Sequence, residues 1–230
     1  MSDITSGYAS NFYQNALNLL ERIDYRRADT NEEKDAIYRL RYDAYMREGM
    51  VPSNPTRRIT DKYDGSAWNF GLFIDGKLAS SLRINVGNKD NRDVPGMQVF
   101  SEYLTPMFDA GNVIVDPTRF VADYAATREF PALAYLTARL GWLAGEFFNA
   151  DIILSACRVE HQAFYRRIFG HKAVCEGRTY PTLIKPISLM VLDYPKMRDR
   201  VHERYPFFRS TVFERRMLFE RFREGARVAA

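Results

Sequence analysis

Two short apolar runs on either side of a helical stretch constrain the fold more than any other feature of this chain. The first is Asn112-Val113-Ile114-Val115-Asp116, inside Gly111 to Phe120. The second is Asp151 to Ala156, DIILSA. Runs this short and this rich in aliphatic residues read as strands buried on both faces. The spacing between them predicts one long helix from about Glu129 to Asn149. A helix joining two buried strands makes a right-handed crossover between parallel neighbours. The first strand is expected to stop at Pro117, because proline cannot donate to a sheet ladder.

Upstream, Trp68 to Ile74 and Lys77 to Val86 flank Asp75-Gly76, a two-residue hairpin signal that demands antiparallel pairing. Antiparallel and parallel pairing together give a mixed α/β sheet. The remaining elements are read around it. An amphipathic helix is expected over 11–23, and a short strand at Tyr25 to Ala28. A cap cluster, Asp29 to Glu33, precedes a helix from Glu33 to Glu48, with Gly49 as its C-cap. Residues 50–67 read as a loop, and Val99 to Phe108 as a short helix. Glu160 to Phe169 is a helix ending at Gly170, one or two strands follow in 171–192, and 195–227 is helical and rich in arginine.

With 230 residues, 46% hydrophobic and 27% charged, the chain suits one globular domain, 1–194, with a C-terminal helical extension, 195–230. This composition excludes a disordered chain, a collagen repeat and a disulfide scaffold. The two cysteines, Cys157 and Cys175, lack CxxC spacing and read as reduced thiols of a cytoplasmic protein. His161, His171 and His202 lack a ligand spacing such as HExxH, so no metal is expected. Met1 to Ser10 has no basic and apolar leader pattern, and no run approaches membrane-spanning length.

Charged residues recur in an ordered set. Arg41 and Tyr45 lie one turn apart on the early helix. Asp61 and Asp64 sit in the polar loop. Arg83 lies in Ser80-Ser81-Leu82-Arg83-Ile84, and Asp116 and Arg119 close the central strand in Asp116-Pro117-Thr118-Arg119-Phe120. A paired Arg/Asp set of this kind also suits a purely architectural buried network.

The segment Glu160-His161-Gln162-Ala163-Phe164-Tyr165-Arg166-Arg167-Ile168-Phe169-Gly170-His171, which follows a buried strand, resembles the helix-then-strand signature of the GNAT acyltransferase superfamily. The charged spacing is similar to that of acyl-homoserine lactone synthases, although Asp116 stands where those have Glu and Val51 where they have Trp. YRLRYDAYMREG, Asp61-Lys62-Tyr63-Asp64, SLRI, DPTRFVAD, RVEHQAFYRRIFG and RTYPTLIKPISLM together resemble the FeeM-type long-chain N-acyl amino acid synthases, over about 35–192. The resemblance implies a GNAT-like, mostly antiparallel sheet flanked by helices. It also implies transfer of a fatty acyl group from acyl carrier protein to the amine of an amino acid, with no cofactor.

On that basis Tyr165 is expected to protonate the departing sulfur. Asp116, then Glu102, would hold the substrate ammonium or take its proton. Arg119 and Arg83, then Arg41, would clamp the substrate carboxylate. Asp61 and Asp64 would tie the loop to these arginines. Phe120, Phe130, Leu133, Leu136 and Leu140 are candidates for an apolar acyl passage. His161, at a helix start, reads as a packing or capping residue. Tyr124 to Leu133, where coenzyme A-dependent relatives carry a glycine-rich pyrophosphate loop, has no glycine and places Glu129 where an anion would sit.

The net charge of +4 is unevenly spread: residues 196–230 hold ten Lys/Arg and five acids, or +5, leaving −1 for the rest. Arg215, Arg216 and Arg221 are therefore candidates for docking an acidic carrier. A solvated helix with internal Glu–Arg pairs and a helix lying on a membrane surface fit the same pattern. Two other readings stay open: an acyl-homoserine lactone synthase, and a non-catalytic module whose arginine-rich tail binds lipid or nucleic acid.

Overall fold

In a computed structural model the described residues are 2–221. Helix α1 spans Ser2–Leu20 and leads into strand β1, Ile23–Arg27. Helix α2, Asn31–Arg47, opens with a complete capping box between Thr30 and Glu33. Gly49 follows at φ +62°, the left-handed conformation that ends a helix at little cost for glycine. Strands β2, Trp68–Ile74, and β3, Lys77–Gly87, form the expected hairpin. Asp75 and Gly76 both have positive φ, as a type I′ turn requires.

Helix α3 covers Met97–Asp109 and strand β4 covers Ile114–Ala122. The long helix expected from about Glu129 to Asn149 is α5, Leu133–Phe147, which starts four residues later, and a short helix that was not expected, α4 at Tyr124–Glu129, precedes it. Pro131 separates the two: it pushes Phe130 out of the helical region, to φ −121° and ψ 85°. Then come β5, Ile152–Cys157, and α6, Gln162–Phe169, which ends at Gly170 with φ +85°. Strands β6, Lys172–Ala173, and β7, Ser188–Asp193, complete the sheet. Helices α7, Tyr194–Arg204, and α8, Val212–Phe219, follow. The expected helix at 195–227 is thus two helices within the described residues, and 222–227 lie outside them.

The seven strands run in the order β1-β2-β3-β4-β5-β7-β6. Every pair is antiparallel except β4–β5. This is the mixed, mostly antiparallel sheet that the motif resemblance implies. The crossover through α4 and α5 makes β4 and β5 parallel, as the two apolar runs demand. That parallel ladder contains only Ile114↔Ile152 and Val115↔Ile153. β4 does not stop at Pro117 as expected; it runs on, paired with β3 alone. Proline has no N–H with which to extend the ladder toward β5, so it separates the two strands without ending β4.

One face of the sheet packs on α5, and the C-terminal segment packs onto α5 in turn. Phe207, Phe208, Leu218 and Phe219 are buried in the same core as Leu136, Leu140 and Leu143. The 195–221 segment therefore shares the core of the body. Arg139 on α5 fastens it. This side chain, 3% exposed, bonds Glu214 of α8 and donates to the carbonyls of Phe207 and Arg209.

Removing a buried guanidinium strands a carboxylate and two carbonyls. Arg139→Met is expected to lower the unfolding free energy by about 3 kcal/mol in urea titration. A loss below about 1 kcal/mol would show that the clamp contributes little.

Candidate active site

Where β4 and β5 part, a cavity of about 590 Å³ opens between them. Its floor is β4 from Pro117 to Ala122, and its far wall is the end of β5, Ala156 to Arg158. The end of α2, the start of α4, α6 and the loop carrying Tyr180 and Leu183 close the remaining sides.

The β3–β4 register shifts inside this floor. Ser81 pairs with Val121 but Arg83 pairs with Thr118, so Arg119 and Phe120 together stand opposite Leu82. This bulge holds Arg119 at φ +54°. A left-handed arginine costs on the order of 1 kcal/mol or more and persists only where its surroundings fix it. Here they do. Arg119 donates to Asp61 at 2.6 Å, and its guanidinium lies 5.6 Å from the Tyr45 ring centroid.

Arg119 belongs to a buried charge network. Asp61 accepts from Arg83 at 2.5 Å, and Asp64 accepts from Arg41 at 2.7 Å. Arg83 also lies 3.2 Å from Asp64 and donates to Thr118. Arg41 donates its second nitrogen to Asn69. Burial opposes ionisation of Asp61, but the hydrogen bonds and charges of Arg83 and Arg119 prevail and hold its pKa at about 2. Arg119 is burdened by burial too, yet Tyr45 and Asp61 leave its pKa above the ordinary value. Asp61 and Asp64 thus tie the loop to the arginines, as expected. Arg83 and Arg119 reach the cavity wall; Arg41 lies behind it, wholly buried.

Asp116 is fully buried beside Arg83 and behind the wall formed by Pro95 and Gly96. Its Oδ2 accepts from the Gly96 N–H at 2.8 Å, while Oδ1 has no partner. Burial raises its pKa to about 6, with the Gly96 N–H and Arg83 opposing. A carboxyl that exchanges its proton near neutrality suits acid–base work. Tyr165 lies on α6 at the cavity wall, and burial raises its phenol pKa, so the hydroxyl keeps its proton.

A family model for N-acyl amino acid synthase FeeM matches residues 36–193, more than half of the chain. The chain belongs to the FeeM family. It is an acyltransferase, and N-acyl transfer is its chemistry. Solved structures share its fold at low identity. FeeM from uncultured soil microbes is 18% identical with a TM-score of 0.64, over 77% of this chain and 94% of that one. BjaI, a CoA-dependent acyl-homoserine lactone synthase solved with SAM and isopentyl-CoA, is 13% identical with a TM-score of 0.55, over 80% and 89%. TofI, solved with an inhibitor and MTA, is 13% identical with a TM-score of 0.53, over 82% and 100%. No curated protein sequence matches.

Within this FeeM-family cleft some expected residues are absent. Glu102 is exposed on α3, paired with Arg178, and is not on the cavity wall; that hydrogen bond holds its pKa below the ordinary value. The charge pattern marked it as acidic but not which way α3 turns it. Phe120 lines the cavity, but Leu133, Leu136 and Leu140 are core residues and Phe130 packs against that core. His161 makes no capping hydrogen bond; it lies on the cavity wall, 3.2 Å from Arg158.

None of the expected docking arginines borders the cleft. Arg215 donates to Ser210, Arg216 pairs with Glu220, and Arg221 lies 4.0 Å over the Trp68 ring. The cleft rim instead carries Arg47, Arg158 and the exposed Tyr124. Arg47 and Arg128 both stack against that tyrosine, at 4.9 and 5.8 Å from its centroid. Arg158 was missed, although its place as the first charge after an apolar strand is the signal that would have found it. Tyr180 carried no such signal, since its loop lies far along the chain.

The Asp61 ion pairs have a pH signature. Their carboxylate pKa falls on folding, so the unfolded state binds more protons between about pH 4 and 2. Stability present above pH 4 is lost as pH falls through that window, and side-chain screening brings the loss to about 1–2 kcal/mol. Urea titrations from pH 5 to pH 2 are expected to show this slope in the native protein and a shallower one in Asp61→Asn. Identical slopes would remove Asp61 from the account.

Proposed function

We propose that the protein transfers a long-chain fatty acyl group from acyl carrier protein to the amine of an amino acid, giving an N-acyl amino acid. The observation that carries this reading is the 590 Å³ cleft between the parted strands, apolar over much of its wall but with Arg83, Arg119 and Tyr165 on it. Such a volume accommodates a long acyl chain together with a small polar acceptor.

Each step then has a residue. Asp116, behind the wall at Gly96, takes the proton of the substrate ammonium through water and leaves a nucleophilic amine. The amine nitrogen attacks the thioester carbonyl and the C–S bond breaks. Beyond Val115, β4 has no strand partner on the β5 side. Backbone N–H groups on that edge are therefore placed to bind the oxyanion. Tyr165 gives its proton to sulfur, and the proton lost by the amine balances it through solvent. Arg119 and Arg83 supply the positive field for the acceptor carboxylate. The reaction needs no cofactor or metal, because acid, base and oxyanion donors all belong to the chain.

A carrier rather than free coenzyme A is supported by the start of α5. Leu133 and Tyr135 donate their N–H groups to the carbonyls of Phe130 and Ala132. Those donors are then not free to cradle a pyrophosphate. Arg47, Arg128 and Tyr124 at the rim form the surface we assign to the acidic carrier, in place of the C-terminal arginines. No helix among the described residues is long and apolar enough to cross a membrane.

The test is product formation from hexadecanoyl-loaded acyl carrier protein and a mixture of amino acids, read by mass spectrometry. An N-acyl amino acid is expected; no amide with any amine would sink the reading, and a lactone would select the homoserine lactone alternative. Arg119→Ala is expected to abolish turnover with the fold intact by circular dichroism. Arg47→Glu with Arg128→Glu is expected to raise KM for the carrier about tenfold with kcat little changed. The same KM for that pair, alongside a raised one for Arg215→Glu with Arg216→Glu, would return docking to α8.

A further inference from the structure

A second cavity, of about 30 Å³, lies behind Tyr165. Its walls are apolar except for Ser155, Tyr165 and His171. His171 is 3% exposed, and neither Nδ1 nor Nε2 has a well-formed hydrogen bond among the described residues, the only polar group near the ring being the Tyr165 backbone carbonyl. Its ring stands nearly edge-on to Tyr165, with centroids 5.6 Å apart at 69°. Burial keeps the imidazole neutral, with its pKa pushed down to about 3. A neutral imidazole offers one N–H and one lone pair. Leaving such groups unpaired in a protein interior costs about 1–3 kcal/mol each, so a native fold retains them for a reason.

The size and chemistry of the cavity identify what satisfies them. A buried water needs roughly 10–15 Å³ and two to four polar partners. This chamber offers about 30 Å³ and three polar side chains. We propose that an ordered water in the chamber ties His171 to the hydroxyls of Ser155 and Tyr165, making His171 a positioning residue for acyl transfer. The inference rests on the reading of Tyr165 as proton donor to the leaving sulfur.

Tyr165 lines both cavities, with its ring between the reaction cleft and the chamber. When its proton passes to sulfur, the oxygen is left as a buried phenolate, and Ser155 is the neighbour whose hydrogen bond favours that charged form. A water held by His171 adds a second donor from the side away from the substrate. It acts where charge develops and does not touch the substrate, so its loss lowers kcat and leaves KM alone.

His171→Leu, His171→Gln, Tyr165→Phe and a crystal structure test this, using hexadecanoyl-loaded acyl carrier protein and the amino acid that gives product. His171→Leu is expected to lower kcat about tenfold with KM for both substrates within about twofold. His171→Gln, which keeps a polar group for the water, is expected to recover most of the loss. Thermal melts establish that each variant is folded. A wild-type kcat in His171→Leu beside a slow Tyr165→Phe would overturn the chamber's role alone. A wild-type rate in Tyr165→Phe would overturn the assignment of Tyr165, and this inference with it. A high-resolution crystal structure is expected to show water within hydrogen-bond distance of His171 and Ser155, and an empty chamber would refute the proposal whatever the kinetics.

Discussion

The ladder between β4 and β5 is two residue pairs long, and the shape of the cleft depends on where it stops. Two local features set that point. Pro117 has no N–H to offer toward β5, and the bulge at Arg119 and Phe120 increases the twist of β4 just beyond it. A strand that continued in register would have zipped the sheet shut. The left-handed backbone of Arg119 is the strained element in this arrangement, and its ion pair with Asp61 offsets the strain. The loop at 50–67, otherwise polar and irregular, is therefore part of the mechanism that keeps the cleft open.

The charges around this point form one system. Three arginines, Arg41, Arg83 and Arg119, share two carboxylates, Asp61 and Asp64, which leaves the cluster one charge positive. Arg83 and Arg119 carry that excess to the cavity wall. Asp116 lies beside Arg83 but bonds none of the three, and its free oxygen is what burial makes basic. Had Asp116 paired directly with an arginine, its pKa would have fallen as that of Asp61 does, and it would be useless as a base near neutrality. The same residue type takes opposite roles because one carboxylate has guanidinium partners and the other a single backbone N–H.

Much of the fold was legible because its signals are local. The Asp75-Gly76 hairpin, the two apolar runs around the crossover, the Thr30 cap and the Gly170 stop each rest on a few adjacent residues. The start of α5 was written in the sequence at Pro131, two residues inside the expected helix, while α4 ahead of it is too short for its periodicity to stand out. The charged set Arg41, Asp61, Asp64, Arg83 and Arg119 was found as a group, and the structure joins it. Which member faces the cavity was not legible, because that depends on the bulge and on how far the strands part. The chamber at His171 was beyond sequence reasoning: Ser155, Tyr165 and His171 belong to three elements that meet only after packing.

The C-terminal charge shows why a sum along the chain does not describe a surface. Residues 196–230 carry an excess of five positive charges, which reads as a free basic face. In the described part of that segment, Arg216 is neutralised by Glu220, Arg215 is turned to Ser210, and Arg221 is stacked on Trp68. Glu214, counted there as an acid, compensates Arg139 of the body. Glu214 and Arg221 hold the segment against α5 and β2. At the cleft rim Arg47 and Arg128 make no ion pair among the described residues; both lie on Tyr124, which leaves their charge exposed to an approaching anion. Of Arg215, Arg216 and Arg221 only Arg216 is cancelled by a carboxylate, and none of them borders the cleft; an anion entering the cleft senses Arg47 and Arg128 more strongly because it passes within about a Debye length, roughly 10 Å, of the rim.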